Sequence, residues 1–212
     1  MEDSKEGARR GWPLETIAVI LLAVTAVLTA WSGFESSKWG GEMSIAFSRA
    51  STQRIEASRY AASADAIRAV DLQVFGLWLQ ARAGGDAELE AFAQERFTDH
   101  FTPAFEEWIA SRPLQNPDAA DSPFALDSYQ PPGRVEAEAA DARADDYFAQ
   151  ALVNNQRGDN YTLLTVLFAL VLFFGAIVTR FSSPRRSWAV LIGASGLFLI
   201  GVGFLISFPK IV

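Results

Sequence analysis

The residues best suited to chemistry in this chain fall in two polar clusters that are far apart in sequence. Glu35-Ser36-Ser37-Lys38 follows one long apolar run, and Asn154-Asn155-Gln156-Arg157-Gly158-Asp159-Asn160-Tyr161 leads into another. If both runs cross a bilayer, the clusters lie at one depth. Glu35, Lys38, Arg157, Asp159 and Asn160 then form a polar collar at the membrane boundary. Carboxylates, amides and cations at that level suit an ion, a lipid headgroup or a small solute. A plainer expectation is that Glu35 pairs with Arg157 and Lys38 with Asp159, holding the helices in register.

No catalytic residue, cofactor site or metal site is expected elsewhere. His100 is the single histidine and the chain has no cysteine, so the usual zinc ligand sets are missing. His100 reads as a solvated or packing residue on a helix. The carboxylates of Glu106-Glu107 and Asp145-Asp146 are adjacent in sequence and point to different helix sides, so they make no acid–base pair. No nucleophile elbow, phosphate-binding glycine loop or zinc-protease motif occurs. The chain is therefore expected not to be an enzyme.

A third group is aromatic. Phe92, Phe97, Phe101, Phe105 and Trp108 recur at helical spacing and form the strongest aromatic stripe outside the long apolar runs. They are the candidate interaction surface.

Three apolar runs position these groups. Leu14–Ala30, Tyr161–Thr179 and Trp188–Phe208 each approach the roughly 20 residues that a helix needs to span a bilayer. The expected fold is an all-α membrane protein with three transmembrane helices and a long helical hairpin or bundle inserted between the first two. Its parts are a cytoplasmic tail (1–12), a first span (13–33) and an extracytoplasmic helical domain (34–159). A second span (160–180), a short basic loop (181–187), a third span (188–208) and an external tail (209–212) follow. Leu28 would occupy the −3 place of a cleavage site after Ala30, so the first span reads as an uncleaved anchor.

Basic residues orient the spans. Lys5, Arg9 and Arg10 precede the first, and Arg180, Arg185 and Arg186 fill the loop between the second and third, against Lys38, Arg157 and Lys210 on the other side. The positive-inside tendency then puts the N-terminus in the cytoplasm of a cell with its plasma (inner) membrane as the host bilayer. Residues 31–160 hold 11 Lys/Arg against 21 Asp/Glu, which argues against nucleic acid as a partner. No charged residue lies inside an apolar run apart from Glu15 at its cytoplasmic edge, so the usual mark of a transport path is missing.

Small residues at Ala23, Ala26, Ala30 and Gly33, and at Gly193, Gly196 and Gly203, predict faces for close packing among the spans. A long helix is expected from Glu42 to Ala83, ended by Gly84-Gly85, with Asp86 capping the next and Thr102-Pro103 starting another. Residues 112–133 read as a Pro-rich cap anchored by Phe124, Leu126 and Tyr129.

Trp31–Glu42, Arg112–Pro117 with Ser122-Pro123-Phe124, and Asn155–Tyr161 together resemble a family of uncharacterised bacterial three-span integral membrane proteins. The resemblance implies a bacterial origin and the same architecture, and no activity, cofactor or site residue. The leading expectation is a non-enzymatic scaffold that binds itself or another membrane or envelope protein through its helical domain. An oligomeric channel with the collar at its mouth is the alternative. A sensor module acting through a separate partner is the third reading.

Overall fold

The structure is a computed structural model that describes residues 12–211. Apart from Trp12, the expected cytoplasmic tail, with Lys5, Arg9 and Arg10, lies outside the described residues, as does Val212. Every regular element among the described residues is helical: α1 (Trp12–Gly84), α2 (Ala87–Gln94), α3 (Thr102–Ala110), α4 (Arg134–Ile177) and α5 (Pro184–Ser207), with short 3-10 turns at Pro123–Ala125 and Val178–Arg180. Helices α1, α4 and α5 are long and apolar enough to cross a membrane. Only 17%, 28% and 22% of their most apolar stretches is buried inside the chain. Val27, Leu163, Leu199 and Ile206 all face outward. That much apolar outer surface suits a hydrocarbon solvent and not water.

The described residues divide into two compact units, one running up to Phe47 and again from Phe148 onward, and one of Ser48–Tyr147. The second is narrower than the domain read from the ends of the apolar runs, because the span helices keep burying side chains beyond those ends. In the first unit, the covered face of α1 steps through Ala18, Leu21, Thr25, Leu28, Ser32 and Glu35 to Trp39 at alternating three- and four-residue intervals. This is the heptad-like spacing of helices that pack side by side. A second four-residue step, Trp39 to Met43, carries the covered face past Gly40-Gly41 to the half-buried Met43. The helix continues through those glycines without a break. Across from it, α4 buries Ala151, Asn154, Tyr161, Leu164, Phe168 and Val171, the 3-10 turn after it buries Val178, and α5 buries Leu191, Ala194 and Leu205.

The small-residue faces lie elsewhere than expected. Ala23, Ala26, Ala30 and Gly33 are exposed, as are Gly193, Gly196 and Gly203, and a Cβ added at any of those four glycines would meet nothing within 4 Å beyond its own stretch of helix. The close approaches occur at Gly175, where a Cβ would come 2.8 Å from the Leu22 side chain, and at Gly201, where it would come 2.7 Å from the Phe168 ring. Bulky residues seat themselves on single glycines here, so helix contact is made by knobs and not by smooth stripes.

In the second unit α1 ends in a Schellman turn. Gly85 takes φ +73°, its N–H bonds to the Arg82 carbonyl, and the Asp86 N–H bonds to the Ala81 carbonyl. Asp86 then caps α2 by accepting from the Leu89 N–H at 3.0 Å. Pro stands in the first turn of α3, where no intrahelical donor is lost. Gly133 (φ +94°) starts α4, and a side chain there would come 2.9 Å from the Tyr60 carbonyl oxygen. The alanines Ala50, Ala57 and Ala64 of α1 and Ala140 and Ala144 of α4 are buried. Arg54, on α1, is paired with Asp141 and Asp145 of α4.

Candidate functional site

The polar collar is not a ring of paired charges. Glu35 is fully buried. Its Oε2 accepts a hydrogen bond from the Ile211 backbone N–H at 3.0 Å, while Oε1 has no hydrogen-bond partner among the described residues. Arg157 lies over the Trp39 ring at 4.5 Å, a cation–π contact in place of the expected ion pair. Asp159 accepts from Asn155, and Asn160 accepts from Gln156, each one helical turn away on α4. Lys38 is exposed. Neither expected pairing, Glu35 with Arg157 or Lys38 with Asp159, forms. The physical reason is helix phase: Glu35 falls on the inward face of α1, whereas Lys38, three residues on, falls outside it. What does join the two polar clusters is smaller. The Ser36 hydroxyl bonds to the Gly158 carbonyl at 3.1 Å and lies 2.9 Å from the Thr162 hydroxyl.

Around Glu35 the polar groups are under-partnered. Ser32 Oγ and Trp39 Nε1 are also buried without a hydrogen-bond partner. With Glu35 they occupy positions i, i+3 and i+7, one face of α1 over two turns. Tyr161, fully buried on α4, donates to the Pro209 carbonyl at 3.0 Å. Ser32 gave no sign in the sequence, because a serine beside an apolar run is ordinary; only its burial distinguishes it.

The aromatic stripe is core and not surface. Phe101, Phe105 and Trp108 are buried, Phe97 packs against them half-buried, and only Phe92 is substantially exposed, at 47%. Phe75 and Trp78 of α1 complete the cluster. The Trp78 and Phe105 rings meet edge-on at 4.9 Å, and Phe101 stacks on Phe124 at 4.9 Å. The spacing that suggested a binding stripe is used to bury α3 against α1.

A second buried carboxylate, Asp71, was not singled out by its sequence context. It accepts from the Thr98 hydroxyl at 2.8 Å and the Tyr129 hydroxyl at 2.9 Å, and its Oδ2 lies 2.7 Å from His100 Nε2. His100 therefore stands in the turn before α3 as the partner of an acid one helix away. Burial, and then the hydrogen bond to Asp71, push the Tyr129 hydroxyl well above the ordinary tyrosine range. With all its neighbours turned toward one carboxylate, the cluster ties α1, the α2–α3 turn and the Pro-rich segment together and presents no activated nucleophile. Among the described residues no three His, Cys, Asp or Glu side chains group as metal ligands.

The unit also carries an open apolar groove of about 450 Å³. Trp78, Leu79, Trp108 and Ile109 contribute apolar walls, and Arg82 and Arg112 line it with no acidic residue. Leu114 stands at its edge, 92% exposed. The loop that presents Leu114 is held by its backbone. Arg112 adopts φ +52°, and its carbonyl accepts from the N–H groups of Gln115 and Asn116 at 2.9 and 3.0 Å. A non-glycine residue in the left-handed region stores strain that the surrounding structure must hold in place. Comparison with protein-family models, curated proteins and solved structures finds no match to this chain.

Proposed function

We propose that this chain is a non-enzymatic, multi-pass protein of a bacterial plasma membrane whose helical domain docks a partner protein through the Leu114 groove. The N-terminus and residues 181–187 lie in the cytoplasm, and the acidic domain lies outside. One observation carries the docking role: a loop closed by two backbone hydrogen bonds presents a bulky leucine almost fully exposed beside two tryptophans and two arginines. Residues 48–147 contain 9 Lys/Arg against 18 Asp/Glu, yet the groove is lined by two arginines and no acid. Arg82 is engaged by Glu90 at 2.6 Å and lies over the Trp78 ring, which leaves Arg112 as the cation for a visitor. The fitting partner is a segment that sets a bulky apolar side chain within a turn of a carboxylate. A second copy fits worse, since a two-fold contact through this groove brings Arg112 against Arg112.

A photo-crosslinking amino acid at position 114, used in native membranes, tests this. The expected result is a discrete adduct with another protein, mapped to an apolar–acidic segment, that Arg112→Glu abolishes without changing helical content. Adducts only with lipid or with a second copy, or no adduct, would overturn the reading. Sidedness has its own test, since the chain has no native cysteine. A single Asp118→Cys chain reacts with an impermeant thiol reagent from outside the cell; protection there, with labelling between Arg180 and Ser187, inverts the topology.

A further inference from the structure

Glu35 presents a problem that the surrounding chain leaves unsolved. It is fully buried, and among the described residues it forms no ion pair and only one of its oxygens has a hydrogen-bond partner. A lone carboxylate without a counter-charge is strongly disfavoured when it is taken wholly out of water, as Glu35 is. The buried Ser32 hydroxyl lies one turn earlier on the same face and is equally without a partner. The two are therefore near neighbours along the helix that do not hydrogen-bond each other.

We propose that Ser32 and Glu35 bind a monovalent hard cation, in a site closed by the Pro209–Ile211 segment. A proton on Glu35 would cancel the charge but leave Oε1 and Ser32 Oγ still unpartnered. A hard cation sits roughly 2.3–2.6 Å from each oxygen ligand, so it can bridge two oxygens that do not hydrogen-bond each other. One carboxylate matches one positive charge; a divalent ion would leave a net charge among aromatic and leucine side chains. The Pro209 carbonyl, which accepts from Tyr161, keeps a second lone pair and stands two residues before the N–H that reaches Glu35. The Trp39 indole N–H is a donor and suits the oxygen of a water retained on the ion. Because Ile211 donates to the same carboxylate, occupancy of the site and seating of the tail are linked.

The test uses sodium as the probe and the full chain in nanodiscs. Thermal unfolding is followed while sodium replaces choline at constant ionic strength. Tm rises saturably with sodium. The dependence disappears in Glu35→Gln, its midpoint moves up by about tenfold or more in Ser32→Ala, and it persists in Glu42→Gln, which alters an exposed acid. Equal Tm in sodium and choline overturns the proposal, as does a sodium response retained in Glu35→Gln, or the same rise produced by calcium at lower concentration. Should Glu35→Gln fail to fold, Ser32→Ala decides alone, and an unmoved midpoint overturns it.

Discussion

Two buried carboxylates in this chain have opposite surroundings. Asp71 draws Thr98, His100 and Tyr129 onto its two oxygens, whereas Glu35 has a single backbone N–H and one bare oxygen. Both side chains are almost wholly buried, so burial alone does not separate them. The difference lies in who supplies the compensation. Around Asp71 three side chains from the turn before α3 and the Pro-rich segment complete the carboxylate, and the group acts as a tie. Around Glu35 the protein stops short, which is the condition of a site that takes something from outside.

That contrast can be broken by substitution. Asp71→Ala strands three donors at once and should destabilise the folded chain by about 3 kcal/mol, read from denaturant unfolding. A loss below about 1 kcal/mol would make Asp71 dispensable and erase the contrast. Tyr129→Phe removes one of the three and should cost about 1 kcal/mol.

The same tyrosine gives a pH signature. Its folded pKa is raised, so its contribution is complete below the ordinary tyrosine titration near pH 10 and is lost as pH rises toward the higher folded value. Stability measured between neutral and strongly alkaline pH should fall more steeply in the native chain than in Tyr129→Phe; parallel curves would contradict the buried hydrogen bond.

The smallest effect sharpens the other side. In sodium-free medium Ser32→Ala removes a buried hydroxyl that has no partner, so stability should hold or rise by up to about 1 kcal/mol. A clear loss would show that Ser32 is already satisfied within the chain.

How much of this was legible in the sequence differs by level. Helix positions and breaks were readable because they depend on local chemistry: Gly84-Gly85 ends α1, Asp86 caps α2 and Pro103 starts α3 through backbone geometry and hydrogen bonds within a few residues. The residues of the collar were also visible as polar groups beside apolar runs. Their pairing was not, because a hundred-degree turn per residue decides which of Glu35 and Lys38 faces inward, and that phase depends on how α1 meets α4. The aromatic stripe shows the same limit. Phe101 and Phe105 carry a periodicity that marks one face of a helix, and periodicity does not say whether that face meets α1 or a partner. Asp71 had no signal at all, since its three donors come from distant parts of the chain.

By itself, the sequence determined an all-helical chain with three helices apolar enough to cross a membrane, an acidic segment between the first two, and the points where helices begin and end. These follow from hydropathy, charge and backbone propensity, which act locally or add up along the chain. Tertiary structure alone decided which carboxylate is completed and which is left open, which aromatics are core, and that Leu114 stands free beside Arg112. Those outcomes depend on side chains that meet across long sequence separations, where a rotation of one helix exchanges a buried residue for an exposed one.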